Sequence, residues 1–326
     1  MPDGDSRRQG RTLRDARGLA EAGLIPPAAE ADAARVAQRF AIAVTDQVAR
    51  LIDPTDAADP IARQYIPDLA ELDTAPHEIP DPTADGPFTP VTGVVHRYPD
   101  RALLKPLLAC PVYCRFCFRR EVVGPDGGLL TEAQLDAALS WFERTPQIRE
   151  AILTGGDPLI LSPRRLGAIL ARLSAIPHIE TLRIHTRVPV ADPARVDAAL
   201  LAALEVDKPV MIAVHANHAR EFAPEAASAL ARLARAGIPL LGQTVLLRGV
   251  NDSPQALEDL LRAMIRNRVK PYYLHALDPA PGTARFAVPD EEGLALMRAL
   301  RGRVPGFAIP HFVREQPEGG GKRPVA

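Results

Sequence analysis

The chain of 326 residues has three cysteines, and they lie within eight residues of one another. Cys110, Cys114 and Cys117 follow the pattern C-x3-C-x2-C. An odd, clustered set is a poor disulfide framework, whereas thiolates this close can bind three irons of a [4Fe-4S] cluster and leave the fourth iron open. A structural zinc site normally takes four protein ligands, and this loop has neither a fourth cysteine nor a histidine. The spacing favours a cluster, with zinc or inert buried thiols as the alternatives.

The composition is that of an ordinary globular protein. Hydrophobic residues make up 47% of the chain and charged residues 24%, and 39 Lys and Arg against 40 Asp and Glu give a net charge of -1. No overall basic field is available to bind nucleic acid or an anionic membrane. The chain has no run of 18 apolar residues, and its amino terminus, MPDGDSRRQGR, is polar. We therefore expect a cytoplasmic protein with neither a nucleic-acid nor a membrane partner.

From about residue 90, short apolar runs alternate with longer amphipathic segments. The runs lie at 102–109, 151–154, 182–186, 209–214, 240–247 and 271–275, and the segments at 131–144, 163–174, 193–204, 224–236, 254–267 and 290–301. This alternation predicts six β/α units around a parallel sheet, open or closed into a barrel. Thr131 and Gln134 form a capping-box pattern. Ser162, Asp192 and Ser253 each precede a proline, which predicts N-caps there.

We divide the chain into three parts. Residues 1–90 form a helical segment and a Pro/Asp-rich connector, 91–302 form the β/α core, and 303–326 form a carboxyl-terminal segment. In β/α folds the chemistry lies on loops that follow the strands. The residues expected on that face are Cys110, Cys114, Cys117, Gly155, Gly156, Asp157, His185, His215, His218, Gln243 and Asp278. For the histidines, hydrogen-bonded core residues are the favoured explanation.

Six short motifs along the chain can be compared with those of known families. They are CPVYCRFCFRR at 110–120, RYPDR at 97–101, TGGDP at 154–158, QTVLLRGVND at 243–252, PYY at 271–273 and PEGGGK at 317–322. The cysteine loop resembles that of the radical S-adenosylmethionine (SAM) superfamily, and the whole set resembles the lysine 2,3-aminomutase family. The resemblance implies an α/β fold, a partial (β/α)6 barrel with an amino-terminal helical segment. It also implies an isomerase that moves an amino group from C2 to C3.

The resemblance also assigns the iron and SAM contacts. The iron ligands are Cys110, Cys114 and Cys117, and the open iron binds SAM. The SAM contacts are Gly155, Gly156, Asp157 and Gln243, since glycines would let the backbone approach a ligand closely. Without the resemblance, Gly-Gly-Asp-Pro is more often an ordinary turn. A glutamine within an apolar strand is also explained by a core hydrogen bond.

The family uses pyridoxal phosphate (PLP) as well. Lys322 matches the catalytic lysine that forms a Schiff base with PLP. Arg97, Tyr98 and Arg101 match the residues that hold the PLP phosphate and ring, and a planar guanidinium suits bidentate phosphate binding. Without the resemblance, Lys322 would be taken as part of a frayed tail and the arginines as solvated surface charges.

Charged residues are implied to recognise the substrate. Arg119 matches the arginine that binds the substrate carboxylate. Asp278 and Glu315 fall where lysine-using members place two acidic residues around the distal ammonium. Two carboxylates near one ammonium offset its desolvation, whereas either residue alone would more often be a surface charge. The pair favours a lysine-like substrate.

The resemblance leaves two main enzyme functions. One is isomerisation of free L-lysine to β-lysine, and the other is isomerisation of lysine for elongation factor P, whose branch the motifs around His185 and His275 resemble. Both require the [4Fe-4S] cluster, SAM, PLP and an external one-electron reductant such as flavodoxin or ferredoxin, and both are compatible with a homo-oligomer. A diverged aminomutase with another amino acid substrate stays open. A plain electron carrier is the alternative from a different class.

Overall fold

The computed structural model describes residues 12–124, 126–319 and 321–326. Strands β1 to β9 cover Val94–Val95, Arg101–Leu107, Glu150–Gly155, Thr181–Thr186, Val210–His215, Leu240–Val245, Val269–His275, His311–Arg314 and Arg323–Pro324. Helices α1 to α11 cover Ala16–Glu21, Glu30–Ala37, Asp46–Leu51, Ala62–Tyr65, Glu132–Glu143, Pro163–Ser174, Val188–Ala191, Ala198–Ala203, Pro224–Arg235, Pro254–Arg266 and Asp290–Ala299. Within these ranges, no helix is long and apolar enough to cross a membrane.

The nine strands form one open sheet in the order of the sequence. β2 to β8 pair in parallel, and β1 and β9 add antiparallel edges. Helices α5, α6, α7 with α8, α9, α10 and α11 follow β2 to β7 in turn. This confirms the predicted six β/α units and the partial-barrel fold class.

The strands separate an apolar face from a polar one, because successive side chains point to opposite sides of a sheet. Leu104 of β2 and Ile184 of β4 belong to the main hydrophobic core, which the helices cover. Lys105, Arg183 and His185 are their neighbours in sequence and lie on the other face. We call this polar side the inner face of the sheet, and it carries the candidate site.

The sequence does not predict strands β1, β8 and β9. β1 and β9 have two residues each, too few to show a period. β8 has four residues and pairs with β7 through Tyr273 and His311. It delivers Glu315 to the inner face directly after its last residue. β9 pairs with the end of β8, so the frayed-tail alternative for the segment around Lys322 is wrong.

Three of the four predicted helix caps are confirmed. The Thr131 hydroxyl accepts the Gln134 N–H in a capping box, and Ser162 and Ser253 cap α6 and α10. The cap at Asp192 is wrong, since its side chain makes no capping hydrogen bond. The predicted helix at 193–204 splits at the buried Val196 into a short 3-10 turn, Pro193–Arg195, and α8. Asp197 then caps α8.

The amino-terminal helices pack onto the cysteine loop. Leu19, Ile61 and Tyr65 belong to a second hydrophobic cluster. Val112 of the cysteine loop and Ala191 of α7 complete that cluster. This segment therefore covers one side of the candidate site, while the three-part division of the chain stays a prediction.

Glu71, from the same segment, binds two arginines of the cysteine loop. Its side chain is fully buried, and it accepts hydrogen bonds from Arg115 Nη2 at 2.5 Å and from Arg120. Arg285 approaches it to 3.4 Å. Arg115 also donates to the Ala41 carbonyl at 2.6 Å. Two guanidinium groups buried beside the cysteines thus depend on one carboxylate.

We expect Glu71→Gln to lower the free energy of unfolding by about 3–5 kcal/mol, because breaking a buried ion pair leaves an uncompensated buried charge. Urea unfolding followed by circular dichroism measures this. Asp68→Asn is the matched control, since Asp68 also pairs with Arg285, at 2.7 Å, but its side chain is 48% exposed. It should cost at most about 1 kcal/mol. Equal losses in the two variants would contradict the argument.

Candidate functional site

The cysteines lie on the loop directly after β2. All three are free thiols. The Cys117 N–H donates to the Cys114 carbonyl at 3.1 Å, and the Cys110 N–H donates to the Gly124 carbonyl at 3.2 Å, so both ends of the loop are held. Burial raises the pKa of every thiol, that of Cys114 to about 11. The thiols therefore keep their protons at neutral pH unless a metal displaces them.

This donor set suits a cluster better than a single ion. Among the described residues, no group of three or more His, Cys, Asp or Glu side chains converges as a single metal ion requires. In a [4Fe-4S] cluster each thiolate binds a different iron, so the sulfurs need not meet around one point. The three thiols still lie close enough to influence one another electrostatically. The zinc alternative is disfavoured.

A buried arginine connects the cysteine loop to the amino-terminal segment. Arg187, which follows β4, donates from Nη1 to Cys114 Sγ at 3.4 Å. Its Nη2 donates to Gln64 at 2.7 Å and to Glu221 at 2.6 Å. Hydrogen bonds to ligand sulfurs tune the reduction potential of a cluster. The sequence analysis misses this network because its members come from separate segments.

Gly155 and Gly156 are required by close backbone packing. A Cβ on Gly156 would lie 2.0 Å from the Ala109 carbonyl oxygen, and one on Gly155 would lie 2.6 Å from that of Leu107. Gly155 also has a φ of +105°, which side chains disfavour. The two glycines dock their turn onto the start of the cysteine loop. This packing explains both of them without a ligand, and their contact with SAM stays a prediction.

The Asp157 carboxylate is engaged within the protein. It accepts hydrogen bonds from the Thr186 hydroxyl at 2.7 Å and from the Leu159 N–H at 3.1 Å. It also accepts the N–H groups of Arg187 at 2.7 Å and Val188 at 3.2 Å. Asp157 thus fixes the loop after β3 to the loop after β4. A contact of this side chain with SAM would require one of those hydrogen bonds to break. The predicted SAM contact of Asp157 is therefore expected from its backbone.

Gln243 lies on β6, opposite His215 of β5 and Tyr273 of β7. Its side-chain amide has no hydrogen bond to any part of the chain that the structure describes. The core hydrogen bond that would explain Gln243 by itself is therefore not observed. An amide on a polar face suits a ligand contact.

Lys322 joins the inner face through three contacts. Its Nζ pairs with Glu315 at 2.8 Å, and its N–H donates to the Tyr98 hydroxyl at 2.8 Å. Nζ also lies 5.8 Å from the centre of the Tyr273 ring. Arg97 donates to the other oxygen of Glu315 at 3.0 Å. The structure thus brings together four of the residues expected to bind PLP or the substrate.

Arg101 is the outlying member of the predicted PLP group. It is the first residue of β2 and its side chain is 36% exposed. It bonds to Asp100 at 2.9 Å, and its guanidinium lies 4.8 Å from the centre of the Tyr98 ring. Arg101 therefore contacts the site through Tyr98. Arg97 and Tyr98 precede β2 and the cysteine loop follows it, so residues from both ends of this strand contribute to the candidate site.

Asp85, in the connector, meets three cations. Arg119 donates to its Oδ2 from Nε at 3.1 Å and from Nη2 at 3.0 Å, and Lys105 Nζ lies 3.2 Å away. Arg97 Nη2 is 3.8 Å from its Oδ1. Burial would raise the pKa of Asp85, but Arg119 and Lys105 lower it to about 2. The sequence analysis misses both Asp85 and Lys105, although a lysine inside an apolar strand is a signal.

Asp278 follows β7 and lies within electrostatic reach of Lys322. Burial, then the negative charge of Glu315, raises its pKa to about 6, against the opposing influence of Lys322 and Arg119. The two carboxylates are therefore close enough to repel one another. A bound cation between them would relieve this repulsion.

The inner-face histidines are neutral. Burial places the pKa of His185 and His215 well below the usual range and lowers that of His275 to about 3. His215 Nε2 lies 3.2 Å from Asn217 Oδ1. His185 Nε2 is buried with no hydrogen-bond partner among the described residues. The core explanation therefore holds for His215 and is incomplete for His185.

Comparison with known proteins agrees with this geometry. Residues 104–262 match the radical SAM superfamily. The L-lysine 2,3-aminomutase of Clostridium subterminale is 39% identical over 91% of this chain and 71% of its own length. The chain belongs to the lysine 2,3-aminomutase family. The glutamate 2,3-aminomutase of Clostridioides difficile is 35% identical over 89% of this chain and 68% of its own length. Membership alone therefore does not decide the amino acid.

Membership in the lysine 2,3-aminomutase family confirms that the chain is an isomerase whose cofactors are a [4Fe-4S] cluster, SAM and PLP. Among solved structures, Streptococcus suis SuiB bound to its precursor peptide SuiA has a TM-score of 0.50 and 12% identity. That match covers 68% of this chain and 50% of SuiB. At this identity it supports the fold alone, which is the partial barrel that the sequence predicts.

Proposed function

We propose that this chain is an L-lysine 2,3-aminomutase, which moves the amino group of L-lysine from C2 to C3 and forms β-lysine. The proposal rests on the charges of the inner face. The acidic pair Asp278 and Glu315 provides two carboxylates, and Arg119 provides the cation. Lysine has an ammonium at one end and a carboxylate at the other, so it complements both charges. A glutamate side chain would meet the acidic pair with like charge, which costs several kcal/mol as an order of magnitude.

The residues divide between the two ends of the substrate. The Arg119 fork, which presents Nε and Nη2 to one carboxylate oxygen of Asp85, suits a substrate carboxylate. Asp278 and Glu315 hold the distal ammonium and offset its desolvation. Glu315 pairs with Lys322 Nζ at 2.8 Å, which supports a role for it in binding an ammonium group.

The cofactors fit the same elements. Cys110, Cys114 and Cys117 would hold three irons of the cluster, and Lys322 with Arg97 would hold PLP. When bound, the cluster with SAM supplies a radical that abstracts hydrogen, and PLP carries the migrating nitrogen. Glu315 is positioned to take a proton from the Lys322 amine. The amino-terminal helices over the cysteine loop help to exclude water.

The remaining partners are expectations from the family. Radical initiation needs one external electron, for which we expect flavodoxin or ferredoxin as the donor. The names of the relatives favour free lysine over lysine destined for elongation factor P. The activity assay therefore tests elongation factor P in a separate tube.

The deciding assay is anaerobic incubation of the reconstituted enzyme with SAM, PLP, dithionite and L-lysine. Mass spectrometry and chromatography measure β-lysine, with L-glutamate and elongation factor P in parallel tubes. β-Lysine formed rapidly from free lysine, with no product from glutamate, is the expected result. Turnover only when elongation factor P is present, or only with glutamate, would refute the proposal.

We expect Asp278→Asn to raise the KM for L-lysine by about tenfold to a hundredfold, because truncating one partner of a buried charge pair costs a few kcal/mol. The wild-type KM should also rise as the pH falls through about 6, where Asp278 gains a proton, and this rise should be much weaker in the variant. Glu318→Gln, which changes an exposed carboxylate of the carboxyl-terminal segment, is the control. An unchanged KM would remove Asp278 from the substrate site.

A further inference from the structure

Asp85, Arg97, Lys105 and Arg119 form a charged cluster that the proposed function does not fully use. Four donor contacts reach or approach the Asp85 carboxylate from the three cations, at 3.0 to 3.8 Å. The side chains of Arg97, Lys105 and Arg119 are only 6%, 18% and 14% exposed. Three cations buried this deeply require an anion between them.

The fit of Asp85 to these donors is incomplete. Its Oδ2 accepts hydrogen bonds from Arg119 and Lys105 together. Among the described residues, its Oδ1 has only the Thr83 hydroxyl, at 3.3 Å, within hydrogen-bond reach. Arg97 Nη2 is buried with no hydrogen-bond partner among the described residues. The cluster therefore has donor capacity that Asp85 does not fill.

The turn that carries Asp85 is held independently of its carboxylate. The Asp81 side chain accepts the N–H groups of Asp85 and Gly86, each at 2.9 Å. Ala84 has a φ of +50°, a sparsely populated conformation for a residue other than glycine. The backbone thus presents Asp85 to the cations, and its side chain can leave them without unfolding the turn.

We propose that Asp85 stands in for the α-carboxylate of the amino acid substrate and leaves Arg119 and Lys105 when that carboxylate binds. Lys105 is then a second carboxylate-binding residue, on the inner face of β2. This inference rests on the proposed function for the place of Arg119. A carboxylate is favoured over a phosphate because the Arg119 fork and one lysine already hold a planar carboxylate there.

The internal carboxylate lowers the apparent affinity for substrate, because only the fraction of molecules with the cations released can bind it. We expect Asp85→Asn to bind L-lysine about tenfold more tightly than wild type, since the neutral amide competes less well. Lys105→Met should bind L-lysine about tenfold more weakly. If Asp85 merely held Arg119 in place, Asp85→Asn would bind L-lysine more weakly than wild type, which is the opposite of the expected change.

The experiment uses PLP-loaded protein without SAM, so that binding is measured without turnover. Isothermal titration calorimetry and PLP absorbance give Kd for L-lysine, for L-alanine and for cadaverine, which is lysine without its carboxylate. Both variants should change Kd for the two amino acids and leave that for cadaverine unchanged. L-Alanine has no distal charge, so it reports on the carboxylate contacts even if the assay for β-lysine fails.

Glu121→Gln is the control, because it removes a carboxylate paired with Arg39 at 3.0 Å away from the inner face. A parallel titration of PLP into the PLP-free protein tests phosphate as the alternative anion. Weaker or unchanged amino acid binding by Asp85→Asn would overturn the proposal, as would tighter binding confined to PLP. Unchanged amino acid binding by Lys105→Met would show that Lys105 does not bind the substrate carboxylate. This test does not depend on whether the Asp85 variant folds.

Discussion

Cys114→Ala is expected to abolish turnover, lowering it by more than ~10³-fold, because enzymes supply rate enhancements of roughly 10⁶-fold or more and this one depends on its radical initiator. Cys114, a predicted iron ligand, is the cysteine to which Arg187 donates at 3.4 Å. Without its thiolate, the loop offers two sulfurs and no histidine. The purified variant should therefore lack the iron and the absorbance of a [4Fe-4S] cluster.

Iron analysis and electron paramagnetic resonance of the anaerobically reconstituted variant measure this outcome. Tyr113→Phe serves as the control because it changes the same loop without touching a thiolate, removing only the hydrogen bond from the Tyr113 hydroxyl to the Arg120 carbonyl at 2.8 Å. It should keep its iron. Wild-type iron content in Cys114→Ala would refute the assignment of the ligands.

Lys322→Ala should lower turnover by about 10²- to 10⁴-fold, the range typical for a group that acts directly on bonds or protons. Lys322 is the lysine that we propose to bind PLP. The Tyr98 hydroxyl accepts its N–H at 2.8 Å, and Glu315 pairs with its Nζ at 2.8 Å. The variant should keep its iron, since none of these contacts involves a cysteine.

The direct measurement for Lys322 is borohydride reduction of the PLP-loaded protein, followed by peptide mass spectrometry. Wild type should carry the pyridoxyl group on Lys322, and the variant should carry none. Lys208→Ala is the matched lysine control and should behave as wild type. A pyridoxyl group on another lysine of the wild-type protein would contradict the assignment of Lys322 and would identify that lysine as the one that binds PLP.

The cysteine loop and the strand–helix alternation were predictable because their signals are local. C-x3-C-x2-C lies within eight residues, and the strand and helix of each predicted β/α unit show their own periods. The wrong prediction of an N-cap at Asp192 shows the limit of such local signals. An acidic residue before proline indicates only a local preference for starting a helix. Asp192 also ends α7, and its ψ of 61° departs from the extended backbone of the confirmed caps.

The sequence by itself determined the family, the chemistry of the cysteine loop and the order of the six β/α units, because short motifs and short periods specify them. Only the tertiary structure decided that Glu71 neutralises Arg115 and Arg120 and that Asp85 lies among Arg97, Lys105 and Arg119. These partners are separated by up to 49 positions for Glu71 and 34 for Asp85. No local pattern records such pairs, since they exist only when burial removes the charges from water and forces each to find its counter-charge.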